Sequence, residues 1–133
     1  MAHDLSALDA GYLEFWRERH LCTLTTLRPD GSPHVVPVGA TYDPQTRTAR
    51  VISDAASRKV RNVLAAGEAG VRVALCQVDR ARWSTLEGVA RVRADAESVA
   101  EGERRYAERY KEPRVNPNRV VIEITVDRAL GRA

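Results

Sequence analysis

The sequence predicts a mainly β protein, a barrel of six mostly antiparallel strands with three helices. Three observations carry that prediction. Val120, Ile122, Ile124 and Val126 alternate strictly with Val121, Glu123, Thr125 and Asp127, which is the two-residue period of a strand. Two turn signals, Pro29-Asp30-Gly31 and Asp43-Pro44-Gln45-Thr46, join three strand-like runs into a meander, because Pro presets one backbone angle and Gly supplies a positive one. Few helical segments are available to cover six strands, and closing the sheet removes its edges.

The elements follow in chain order. Ser6, with Asp9 three residues on, reads as a helix start, and Leu5, Leu8, Tyr12 and Phe15 recur at helical spacing. This predicts an amphipathic helix over Ala7–Arg19. His20–Leu27, rich in Thr and Leu, reads as the first strand. His34–Tyr42 is the second, with Pro37 and Gly39 marking an irregular or edge section, and Thr48–Ser53 is the third. Ser57 then caps a helix with a Val60, Val63, Leu64 stripe that stops at Gly67. Val71–Val78 and Trp83–Ala94 flank a short polar turn. In the latter strand Leu86, Ala90 and Val92 alternate with Glu87, Arg91 and Arg93. Ala96–Glu112 is a third helix, ended by Pro113, with Tyr106 and Tyr110 as packing residues one turn apart. Residues 114–118 form a loop before the final strand.

Composition bounds the function. The chain has 133 residues, 44% of them hydrophobic and 29% charged, which suits one globular domain over its whole length. No apolar run reaches bilayer length, and Met1–Gly11 lacks the basic-then-apolar pattern of a secretory signal. Cys22 and Cys76 read as core thiols of a reducing, cytoplasmic compartment. There is no CxxC and the three histidines are scattered, so no metal site is expected. The net charge is only +3, yet Ala55–Arg82 alone holds Arg58, Lys59, Arg61, Arg72, Arg80 and Arg82 against Glu68 and Asp79. Aromatics make up 5% of the chain, too few for the stacking surface of a nucleic-acid binder. A compact anion such as a phosphate fits this distribution better.

The sharpest local signal is Ser53-Asp-Ala-Ala-Ser-Arg-Lys-Val-Arg-Asn62, a strand end, a short loop and a helix start. Free backbone N–H groups and the positive end of the helix dipole meet Arg58 and Lys59 there. Cations at a helix start oppose the dipole, and a bound phosphate would compensate. The other reading of the same residues is a solvated basic face.

Gly31-Ser-Pro-His-Val-Val-Pro-Val-Gly39, Val51-Ile-Ser53, Ser57-Arg-Lys59 and Leu86-Glu-Gly88, in that order, resemble the pyridoxamine 5′-phosphate oxidase-like split β-barrel superfamily from about Leu13 to Leu130. With Ser57–Asn62, and Arg105-Tyr-Ala-Glu-Arg-Tyr110 before Asn116-Pro-Asn-Arg119, the chain looks most like the branch that uses the deazaflavin coenzyme F420.

The resemblance implies a homodimer with the cofactor ring in a groove between subunits. Arg58 and Lys59 would hold the cofactor phosphate, with Ser53 and Ser57 beside it. His34, Val36, Pro37 and Val38 would line the ring, and Arg61 and Asn62 would reach the acidic tail that distinguishes F420 from FMN. Gln77, Arg82 and Trp83 would lie near the ring or substrate. The implied reaction is hydride transfer to a small conjugated acceptor such as a biliverdin-like tetrapyrrole, whose propionates would suit Arg80 and Arg82. His34 is the one candidate for a proton donor, and a polar strand-start residue is the other reading of it. FMN oxidases of the superfamily usually carry a Lys where this chain has Val38-Gly39, and a Gln where it has Trp83. Both departures favour F420 over the alternative cofactor FMN. A non-catalytic cofactor or tetrapyrrole carrier is the other class the sequence allows.

Overall fold

The computed structural model describes residues 2–133. Its strands are β1 (Cys22–Leu27), β2 (Pro33–Val38), β3 (Ala40–Asp43), β4 (Thr48–Asp54), β5 (Val71–Asp79), β6 (Arg82–Arg93) and β7 (Arg119–Arg132). Its helices are α1 (Ala10–Phe15), α2 (Arg58–Leu64) and α3 (Ala96–Arg109). The mainly β, antiparallel reading holds, with seven strands where the sequence predicted six.

The extra strand has one cause. The run expected as a single strand over His34–Tyr42 bends at Gly39, and its halves join different neighbours. The sheet order is β2-β1-β5-β6-β7-β4-β3, so the two edges are consecutive pieces of chain with one glycine between them. The sheet is thus curled back on itself, and the expected meander has its middle strand shared between both edges. A Cβ at Gly39 would press on the Tyr106 ring at 2.7 Å and the Tyr110 ring at 3.3 Å. The bend therefore needs a residue without a side chain.

The core fills the inside of the curl with Leu24, Val51, Leu75, Leu86, Ile122 and Ile124, each fully buried. Short helices plug its two ends. α1 buries Tyr12 and Phe15; Trp16 Nε1 donates to Ser84 Oγ at 2.9 Å, and the Tyr12 hydroxyl donates to the Leu130 carbonyl at 2.9 Å. α2 buries Val60, Asn62 and Val63 at the opposite end, and the Asn62 amide donates to Thr26 Oγ1 at 3.0 Å. α3 packs outside on β4 and β7, where Gly102 lets it approach Ile52 and Val121.

Element ends differ from the sequence reading for local reasons. α1 starts at Asp9, which accepts from the Tyr12 N–H at 2.8 Å, because Ser6 is bonded back to Asp4. α3 stops at Tyr110, short of Pro113, because the Tyr110 hydroxyl donates to the His20 carbonyl at 2.6 Å and accepts from the Ala40 N–H at 3.0 Å. β7 runs past the alternating segment to Arg132 because β6 tracks it across a bulge at Glu87/Gly88. There a Cβ on Gly88 would collide with the Thr125 backbone. Cys22 is buried and Cys76 is half-buried; Cys76 faces outward between Thr23 and Thr85, so only one of the two expected core thiols is in the core.

Candidate functional site

β2 pairs with β1 alone, and β4 pairs with β3 and β7. The space left between β2 and β4 is a groove of about 800 Å³. One wall is Pro37, Val38 and Gly39 from the bend, with Ser53, Asp54 and Lys59 from the end of β4 and the start of α2. Tyr106 and the loop over 111–116 make the other wall. The structure thus brings Pro37, Val38, Ser53 and Lys59 together. Ser57 joins them through a 2.8 Å hydroxyl contact with Ser53. That contact replaces the expected cap, since Ser57 makes no side-chain bond to the helix.

Electrostatics single out the same corner. Among the described residues Arg58, Lys59 and Arg61 make no ion pair, whereas Arg72 is held by Asp127 at 2.7 and 2.8 Å and Arg82 by Glu18 and Asp79 at 2.9 and 2.8 Å. Partial burial pulls the Lys59 ammonium below its usual value, and Asp54 partly restores it. Of the six clustered bases, Arg72 and Arg82 are thus spent and Arg80 sits at the β5–β6 turn, which leaves three free cations around the α2 start. That helix has only seven residues, so these side chains, more than the dipole, make the place attractive to an anion.

His34 belongs to this corner. It sits across from Thr26 on the inner face, and its pKa is pushed below the ordinary value by desolvation and by Arg28, Arg58 and Lys59. Its Nδ1 is buried without a partner, and so is the Asn62 Oδ1 on the other side of Thr26. Neutral His34 is better suited to hydrogen bonding than to giving up a proton. Val36 is half-buried beside Leu24.

Four expected contacts lie elsewhere. Gln77 is 1% exposed; its amide donates to the Phe15 carbonyl and accepts from Arg109, so it offers nothing to the groove. Asn62 points inward to Thr26 and does not reach outward for an acidic tail. Trp83 stands on the outer face of β6 opposite Val78. Arg82, spent on two carboxylates and stacked 4.6 Å over Phe15, is not free for a substrate propionate. Glu87 pairs across the sheet with Arg128, at 3.9 Å.

Sequence reasoning missed the second wall of the groove and the residue that braces it. Arg109, 8% exposed, donates to the carbonyls of Glu18 at 2.7 Å and Ala40 at 2.6 Å and to Gln77 Oε1 at 2.7 Å. It joins α3 to the residue just beyond the Gly39 bend. A separate pocket of about 360 Å³ between α1 and α3, lined by Trp16, Tyr42 and Arg109, contains none of the residues expected to touch cofactor or substrate.

The sequence profile of pyridoxamine 5′-phosphate oxidase matches residues 8–132. The chain belongs to the pyridoxamine 5′-phosphate oxidase family. A curated member of Mycobacterium tuberculosis (strain CDC 1551 / Oshkosh), a biliverdin reductase dependent on reduced coenzyme F420, is 51% identical over all of this chain and 94% of its own. Two solved structures share the fold. A conserved hypothetical protein of Mycobacterium tuberculosis superposes with a TM-score of 0.76 at 23% identity, covering 95% of this chain and 84% of its own. An F420 reductase superposes with a TM-score of 0.71 at 22% identity, covering 92% and 98%. In this pyridoxamine 5′-phosphate oxidase family member the β2–β4 groove, with the unpaired Lys59 ammonium and the Ser53 hydroxyl on its wall, fits a phosphate-bearing cofactor.

Proposed function

We propose that the protein is an oxidoreductase that uses reduced coenzyme F420 to reduce a small conjugated acceptor such as a biliverdin-like tetrapyrrole. The observation that carries this reading is the 51% identity, over the whole chain, to the F420-dependent biliverdin reductase. The Gly39 bend speaks against the FMN reading. Two tyrosine rings occupy the space into which a side chain at Gly39 would project, at the Val38-Gly39 strand end where the resemblance gives FMN oxidases a lysine.

In this reading Lys59 and Arg58 hold the cofactor phosphate, Ser53 and Ser57 hydrogen-bond beside it, and Pro37–Gly39 fixes the ring by shape. Bound there, the reduced deazaflavin supplies a hydride. The chain's own task is to orient the ring against the acceptor and to keep water from competing. His34 acts as a hydrogen-bonding partner of the anion, and solvent is the source of the acceptor's proton. The test is consumption of reduced F420 by the purified protein, which is expected with biliverdin and absent without an acceptor. Binding of both molecules without consumption would make the protein a carrier instead.

An anion beside His34 opposes the effect of Arg28, Arg58 and Lys59 and raises the His34 pKa. Cofactor binding should then take up a fraction of a proton, and affinity should rise as pH falls through the bound-state pKa of His34. Calorimetry in buffers of different ionisation enthalpy measures this uptake, and His34→Asn should abolish it.

The homodimer belongs to the same proposal. The outer face of β2, β1, β5 and β6 is uncovered by any helix of this chain and presents Leu21, Val35, Val78 and Trp83, which are 70%, 59%, 66% and 38% exposed. Exposed apolar residues grouped in this way suit an interface, and Trp83 is at home in one. Val78→Glu with Val35→Glu is expected to yield a monomer by light scattering and to weaken F420 binding. A dimer of undiminished strength would place the interface elsewhere. Two free cysteines suit a reducing compartment, the cytoplasm.

A further inference from the structure

The second wall of the groove, over 111–116, faces Lys59 and the Gly39 bend and carries Lys111 and Arg114. Both are exposed, and among the described residues neither makes an ion pair. Other polar groups on that wall are already engaged. Arg119 bonds Glu103 at 2.9 Å and the Arg114 carbonyl at 2.6 Å, and Asn116 donates to Asp54 at 3.2 Å. Asp54 also accepts from the Ala56 N–H at 2.9 Å. The groove thus lines up Lys59, Lys111, Arg114 and Arg119 against the carboxylates Asp54 and Glu112, with positive charge in excess. Of the residues that the sequence offered for carboxylates of cofactor or substrate, Asn62 is turned inward, Arg82 is spent, and Arg61 and Arg80 do not line the groove.

We infer that Lys111 and Arg114 form a carboxylate-binding wall that sets specificity in the groove, an inference that rests on the oxidoreductase reading. Lys supplies a mobile point charge and Arg a planar fork able to grip a carboxylate through two N–H groups. Their sequence neighbours Pro113 and Pro117 limit the loop's backbone freedom, so the two cations stay on the groove side at a low ordering cost. Two carboxylates share the required chemistry: the propionates of the acceptor and the glutamates of the cofactor tail.

The test compares the full-length protein with the Lys111→Ala/Arg114→Ala double variant in equilibrium titrations followed by absorbance and fluorescence. Four probes are used: biliverdin, biliverdin dimethyl ester, coenzyme F420, and the same cofactor without its glutamates. If the wall holds the acceptor, the variant binds biliverdin about tenfold more weakly and the ester as before. If it holds the tail, F420 weakens by a similar factor and the form without glutamates does not. The effect should shrink at high ionic strength, because the groups are exposed. Unchanged affinity for both biliverdin and F420, or equal losses for acid and ester alike, would overturn the wall. A wild-type protein that binds neither molecule would instead overturn the oxidoreductase reading beneath it.

Discussion

Replacing Arg109 with leucine is expected to destabilise the protein by about 3–5 kcal/mol, a fall of roughly 10–20 °C in Tm. The guanidinium is buried and, among the described residues, has no carboxylate partner within ion-pair distance; four protein oxygens hold it instead, those of Glu18, Ala40, Gln77 and Phe15. It also lies 5.1 Å from the centre of the Trp16 ring and 5.2 Å from that of Tyr110. Leucine fills much of the volume but leaves those acceptors without a donor in the core, and an unmet buried acceptor costs about 1–3 kcal/mol. Arg109→Lys keeps the charge but lacks the fork that reaches four oxygens at once, so it rescues only part of the loss. Thermal and urea unfolding of the three proteins measures this. A Leu variant within about 1 kcal/mol of wild type would show that the brace is dispensable.

The second large effect concerns the anion corner. Arg58→Ala with Lys59→Ala should weaken F420 binding by roughly 100-fold or more, because each charge-assisted phosphate contact is worth about 1.5–3 kcal/mol. Neither cation is tied to a carboxylate in the free protein, so their loss leaves no internal charge unpaired and the fold should persist. Arg72→Ala is the control. That residue is equally basic and lies in the same sequence segment, but it is consumed by Asp127, and affinity should not change. Fluorescence titration separates the two cases, and circular dichroism shows whether the double variant stays folded. Equal affinities for the double variant and wild type would remove the phosphate from this corner.

What could be read from the sequence follows the range of the interactions involved. Alternation located β7 because side-chain period is a local property, and the Ser53–Asn62 motif located the corner of unpaired cations because strand end, loop and helix start are contiguous. Pro37 and Gly39 flagged an irregularity, but that the two halves of one run take opposite edges of the sheet is a consequence of closure and has no local signal. Gln77 illustrates a different difficulty. A polar residue in an apolar strand looks the same whether it faces a ligand or a buried arginine, and Arg109 lies 32 residues away. The second wall was invisible for the same reason, since Tyr106 and the loop over 111–116 meet β2 only in the folded chain. A basic residue one turn from Tyr106 on a helix otherwise laced with surface ion pairs, such as Arg104 with Glu101 and Glu108, carries no mark that it is the buried one.

The most direct test of the account is the relative affinity of the purified protein for coenzyme F420 and FMN, measured by fluorescence titration at low and high salt. The account predicts that F420 binds more tightly, that salt weakens it, and that FMN competes poorly. Tighter binding of FMN, or protein that emerges yellow with FMN from a host lacking F420, would contradict it.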